Sequence, residues 1–192
     1  MKYRSDIYYI DKVLNNDISA YATLVDKHKD MVFTVAYRII RNREDAEEIA
    51  QDVFVKVYQS LKTFKKESKF STWLYRIVYN TAISKTRKKY LNTTNLDYDV
   101  VENYSIDEII EDVNSLDIDE QRIIINKVLE KLNPEENALI GLFYFKENST
   151  EEISEIMSLS QANVKVKLHR IRKRMYEEVQ QILSNNFKEV NI

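Results

Sequence analysis

The chain has no cysteine, one glycine (Gly141) and one proline (Pro134) in 192 residues. Each scarcity excludes a class of protein. Without cysteine there is no disulfide, no thiolate nucleophile and no cysteine-ligated zinc, and the redox compartment is left open. Tight hairpins and bulges use glycine heavily, so a single one argues for all-helical structure. The same scarcity rules out glycine-rich phosphate loops and dinucleotide fingerprints. Histidine occurs only at 28 and 169, far apart and outside any metal-ligand spacing, so neither a metal site nor a cofactor is expected. No grouping of nucleophile, base and stabiliser stands out, and an enzyme is the weakest reading. Long apolar runs and an N-terminal apolar leader are also missing, which leads to the expectation of a cytoplasmic chain without membrane insertion.

Charge is abundant but segregated. The net charge is −2, yet residues 62–90 hold nine Lys or Arg against one acid, Glu67. Residues 91–120 hold ten Asp or Glu and no base, and residues 165–174 hold six bases and no acid. Binding to a polyanion follows the local field rather than the total.

Helical periodicity organises the rest. Ser5 and the apolar set Ile7, Ile10, Val13 and Leu14 predict a helix over 5–16, and a second runs from Ser19 to about Ile40. From Glu44 to Leu61, the residues Ala46, Ile49, Ala50, Val53, Phe54, Val57, Tyr58 and Leu61 form an unbroken stripe with spacings of three and one. The first half of its other side holds Glu44, Asp45, Glu47, Glu48, Gln51 and Asp52. Acids in a first turn offset the helix dipole, but Gln51 and Asp52 lie beyond that turn and suit a basic partner. A basic loop, 62–69, surrounds Phe64. Ser71 is the expected cap of the next helix, in which Trp73, Leu74, Ile77, Val78 and Thr81 make the apolar face. The neighbouring face carries Tyr75, Arg76, Tyr79, Asn80, Ile83 and Arg87. Rings, an amide and guanidinium groups on an exposed face suit stacked bases and phosphates, although a solvated basic face is the commoner meaning of such a pattern.

These elements make a first helical domain over 1–90. Residues 91–118 lose periodicity and become acidic, which reads as a flexible linker with a short helix around 105–113. From Asp119 the helical pattern returns in a second small domain, 119–192. Ile123, Ile124, Val128, Leu129 and Leu132 form one helix, and Pro134 opens the next. Ser149 and Glu152 have capping-box spacing. A short helix there, a turn at Ser158 and a long basic helix from Ser160 lay out a helix-turn-helix. Val164, Leu168, Ile171 and Met175 face inward. Ala162, Val166, His169 and Lys173 lie opposite, flanked by Lys165 and Arg170, with Gln161 and Asn163 near the helix start. Such a face fits a DNA major groove; an αα-hairpin with a solvated basic end is the other reading.

At these motifs the chain resembles the bacterial sigma factors of the extracytoplasmic-function (ECF) group. DAEEIAQDVFVKVY, residues 45–58, resembles the helix that binds the clamp helices of core RNA polymerase. FSTWLYRIVYNTAISKTRKK, residues 70–89, resembles the segment that opens and reads the −10 promoter element. STEEISEIMSLSQANVKVKLHRIRKRM, residues 149–175, resembles the reader of the −35 element.

The resemblance implies a non-enzymatic subunit that binds core RNA polymerase and directs initiation at promoter DNA, with an anti-sigma factor as a further expected partner. It places Asp45, Glu48, Gln51, Asp52 and Phe54 on the polymerase surface. It places Phe64, Lys65, Lys66, Arg76, Tyr79, Asn80 and Arg87 at the −10 element, with Phe64 helping to hold a flipped base. Lys165, Val166, His169 and Arg170 match the family's groove-facing positions at the −35 element, and the helix wheel adds Gln161, Asn163 and Lys173 to that face. Trp73 reads as core. Two positions depart from the family pattern: Ser158 stands where glycine is usual, and Val166 alters the outward face of the −35 reader. The alternatives are a stand-alone helix-turn-helix regulator and a helical adaptor with no DNA role.

Overall fold

A computed structural model describes residues 4–89, 117–146 and 148–189, without the side chains of 88, 89 and 185–189. The described residues contain eight α-helices and no strand. They fall into two small helical bodies on either side of the acidic segment. Residues 90–116, with the short helix expected around 105–113, lie outside the described residues, and the last two positions of the expected linker, Asp117 and Ile118, already cap and open the next helix.

In the first body, α1 (Asp6–Leu14) begins at Ser5, whose side chain accepts from the Tyr8 amide. Helix α2 (Ser19–Ile40) ends at Arg41, a left-handed residue with φ 56°. Asn42 then caps α3 (Arg43–Ser60) by accepting from the Asp45 amide. This two-residue hinge turns the chain sharply enough for α2 and α3 to pack side by side. A 3-10 turn, Leu61–Thr63, and the basic loop lead into α4 (Phe70–Lys89). Helix α4 starts one residue earlier than expected, so Ser71 lies inside its first turn and is not the cap. The Trp73 amide bonds to the Lys69 carbonyl, which sets that start.

The expected stripe of α3 is buried at Ala46, Ile49, Val53, Val57 and Leu61, with Ala50 and Phe54 half-buried. Tyr58 departs from it and is 45 % exposed. Its ring edges onto Tyr21 at 5.0 Å while the rest faces out, because a 3.6-residue period carries a long stripe around the helix. Trp73 packs in an aromatic cluster with Phe64 and Phe70, centroids 5.4 and 5.8 Å away, in agreement with a core role.

The second body begins with α5 (Ile118–Glu130), capped by Asp117. Ile124 and Val128 pack beneath Val179, whereas Ile123 points outward, contrary to its place in the expected stripe. Neighbouring positions are 100° apart on a helix, so Ile123, Ile124 and Ile125 cannot all face inward. Helix α6 (Pro134–Ile140) has Pro134 in its first turn and a capping box between Asn133 and Glu136. It continues as a π-helical turn, Gly141–Phe145. Ser149 and Glu152 complete a second capping box at α7 (Thr150–Met157). The turn expected at Ser158 is present, with φ 55°, and leads into α8 (Gln161–Glu189). The two bodies are not separate in this structure: α2 and α4 pack against α6 and α7, and one apolar core runs through both.

Candidate nucleic-acid and polymerase interfaces

Three surfaces carry the chemistry. The first is the outer face of α3. Burial of Ala46, Ile49, Val53 and Val57 on the inner side leaves Glu48, Gln51, Asp52 and Val55 outward. Asp45 and Glu48 are held by Lys85 of α4, at 3.1 and 2.7 Å. Hydrogen bonding to Glu48 and the two nearby carboxylates raise the Lys85 pKa. Phe54 is half-buried, and its carbonyl accepts from the Tyr21 hydroxyl. Val55, 56 % exposed, and Tyr58 add an apolar strip to this acidic face. Sequence reasoning missed both as surface residues. Val55 could have been found, since it is the one strongly apolar position outside the buried stripe. Acidic rim and apolar strip together suit a partner with a basic, partly apolar groove.

The second surface is the basic loop with α4. Lys65, Arg76 and Asn80 are exposed, as their proposed role requires. Lys66 is exposed and extends to Asp11 of α1 at 2.5 Å, from a left-handed backbone with φ 62°. Phe64 is only 7 % exposed, inside the aromatic cluster. Tyr79 is 8 % exposed and Tyr75 7 %, and Ile83 is also buried. The face read from sequence as open is therefore covered along its tyrosine edge, and what covers it is the second body. Burial, with the charge of Glu152 nearby, pushes the Tyr75 hydroxyl pKa up to about 12. Burial, with Glu135 nearby, does the same to Tyr79. Arg87 is exposed and pairs with Glu135 at 3.1 Å.

The third surface is the outward face of α8. Val164, Leu168 and Ile171 are buried and Met175 packs against the core, as the wheel requires. Gln161, Asn163, Lys165, Val166 and Arg170 are exposed, while His169 and Lys173 are half-buried at the margin. Ser160 caps the helix start by accepting from the Asn163 amide at 3.1 Å. The short α7 and the left-handed Ser158 thus aim a basic helix outward with its polar groups arranged along one side. That geometry fits base edges and phosphates of a major groove.

Among the described residues, no group of three metal-ligating side chains comes together, and no helix is long and apolar enough to cross a membrane.

Residues 24–90 match the family described as Sigma-70 region 2, and residues 122–175 match Sigma-70, region 4. The chain is 32% identical over 180 residues to the ECF RNA polymerase sigma factor SigW of Bacillus subtilis, covering 90% of this chain and 96% of that protein. It is 28% identical over 185 residues to the ECF RNA polymerase sigma-E factor of Escherichia coli, covering 93% and 96%. In fold it is similar to CnrH, solved in complex with the cytosolic domain of CnrY, with a TM-score of 0.66 at 18% identity, covering 93% of this chain and 99% of that one. It is also similar to RpoE of Bartonella quintana, solved with the anti-sigma factor NepR, with a TM-score of 0.61 at 19% identity over 83% and 96%.

Proposed function

The chain belongs to the ECF RNA polymerase sigma factors, which direct promoter-specific initiation, and from that premise we propose how its surfaces divide the work. The first domain, 1–90, docks core polymerase through the outer face of α3: Asp45, Glu48, Gln51, Asp52 and Phe54, joined by Val55 and Tyr58. Its basic loop and α4 read and melt the −10 element. Lys65, Lys66 and Arg87 meet phosphates, and Arg76, Tyr79 and Asn80 meet the separated strand. Phe64 lies behind that face, so it supports a flipped base from within the aromatic cluster. The acidic linker, 91–118, lets the second domain, 119–192, reach the −35 element. There Gln161, Asn163, Lys165, Val166, His169, Arg170 and Lys173 enter the major groove.

Melting on this reading needs no covalent chemistry from the chain. Capturing an unstacked base costs a few kcal/mol, supplied by stacking and hydrogen bonding to the captured strand. The chain acts in the cytoplasm, where its polymerase is, and an anti-sigma factor restrains it. The supporting observation is the match of both family regions in order, on a chain whose α8 leaves its basic face outward. A pull-down of the tagged protein from its host tests the reading. Polymerase subunits should co-purify with the native chain and be lost with Asp52→Lys. Their presence at undiminished levels with that variant would overturn the assignment of α3.

A further inference from the structure

Among its described residues, helix α8 exposes one large apolar side chain, Val166, and exposes it in the middle of the basic face. Val166 is 41 % exposed, and Lys165, Lys167 and Arg170 are exposed around it. Ala162, one turn earlier on the same side, is exposed as well, and its side chain has no hydrogen-bonding group. The centre of the face is therefore apolar over about 6 Å of helix, nearly two base steps, while its edges are polar.

Helix stability does not account for a valine there. At an exposed helical position valine is a poorer helix former than the lysine, arginine and glutamine that α8 uses nearby. What valine adds is stiffness, since branching at Cβ confines it to essentially one rotamer in a helix and its two methyls hold still. The helix that carries them is braced too. Arg172 Nε donates to the Tyr144 hydroxyl at 2.7 Å on one flank, and Arg174 pairs with Glu136 on the other. Further along, Val179 packs on Ile124 and Val128 of α5. These contacts fix the rotation of α8 about its axis and leave Val166 at the crest of the outward face.

We infer that Val166 is a specificity-determining residue of the −35 reader, and that it selects thymine by its C5-methyl group. The inference rests on the reading of α8 as the −35 helix. Thymine is the one base with an apolar group in the major groove; guanine, adenine and cytosine present only acceptors and donors there. A valine at the crest satisfies none of those groups and displaces the water that would, so it favours a methyl and disfavours the rest. Lys165 and Arg170, with Gln161 and Asn163 nearer the helix start, supply hydrogen bonds to the flanking pairs. The −35 element is thus read as hydrogen-bonded base pairs on either side of a methyl contact.

The test uses core polymerase reconstituted with the whole chain, on a promoter pool randomised across the −35 element. Selection by the unmodified protein should fix a thymine at one position of one strand. Val166→Ser should lose the preference at that position alone, and Val166→Ile, which keeps a branched apolar side chain, should retain it. On a selected promoter, deoxyuridine in place of that thymine removes the methyl and leaves the base pairing intact. The exchange should weaken binding by the reconstituted polymerase about fourfold with the native chain, as expected for one buried methyl, and leave binding with Val166→Ser unchanged. A thymine preference that survives Val166→Ser, or a deoxyuridine penalty equal in both proteins, overturns the proposal. Lys165→Ala and Arg170→Ala keep the two readings apart. If they weaken selection at the −35 element while Val166→Ser changes nothing, the methyl contact alone fails; if none of the three alters it, α8 is not the −35 reader.

Discussion

Gly141→Ala should stabilise the protein, although it alters the chain's one glycine. Gly141 has φ −60° and ψ −45°, ordinary right-handed helical values that any residue adopts. An added Cβ would meet only Arg38 Cδ, at 3.6 Å, which is a normal van der Waals contact. Arg38 need not move, and its guanidinium keeps its place over the Phe145 ring. The balance is then set by backbone entropy, since alanine has fewer unfolded conformations to lose; in a helix this favours it by about 1 kcal/mol. For a chain of this size that is a rise of about 2–4 °C in the midpoint of thermal unfolding. Scanning calorimetry of both proteins at one concentration measures it. An unchanged or lower midpoint would mean that the seam around Arg38 is tighter than the structure shows.

Other expectations are equally direct. Asp52→Lys should abolish co-purification with core polymerase while leaving the circular dichroism spectrum and midpoint unchanged, because the side chain is exposed; a lost fold would remove it from the docking surface. Asn80→Ala should reduce permanganate reactivity at the −10 element more than it reduces closed-complex formation, and unchanged melting would count against strand capture. Replacing Arg170 by Ala should weaken −35 binding by about 1–3 kcal/mol if it reads a base edge and uniformly across sequences if it holds a phosphate, which competition between −35 variants distinguishes. The Glu152 pKa is lowered, first by Lys69 and then by the Ser149 amide. Its stabilising share is therefore present above the ordinary glutamate value of about 4.3 and is lost as pH falls through the lower folded value. Glu152→Gln should flatten acid unfolding in that window, and an unaltered acid profile would refute the linkage.

Much of this molecule was legible in its sequence because its helices carry local signals. Ser5, Pro134, the Ser149–Glu152 box and the turn at Ser158 act within four residues, so the pattern alone locates them. The outward face of α8 was readable for the same reason, since Val164, Leu168 and Ile171 define the side opposite. What stayed hidden depends on pairing between distant parts of the chain. Nothing local to Tyr75 or Tyr79 says that α6 and α7 will cover them. Nor does the neighbourhood of Arg41 reveal a partner at Asn137, across 96 positions. Tyr58 and Ile123 were misplaced for a smaller reason: an apolar residue beside a stripe continues it only if a neighbouring helix is there to receive it.

If this chain gives core polymerase its promoter, core enzyme reconstituted with the purified protein should transcribe the host genome in vitro from defined start sites. Mapping those starts should show one shared pair of −35 and −10 sequences ahead of them, and the starts should disappear with Asp52→Lys. Starts no different from those of core alone would refute promoter selection by this chain.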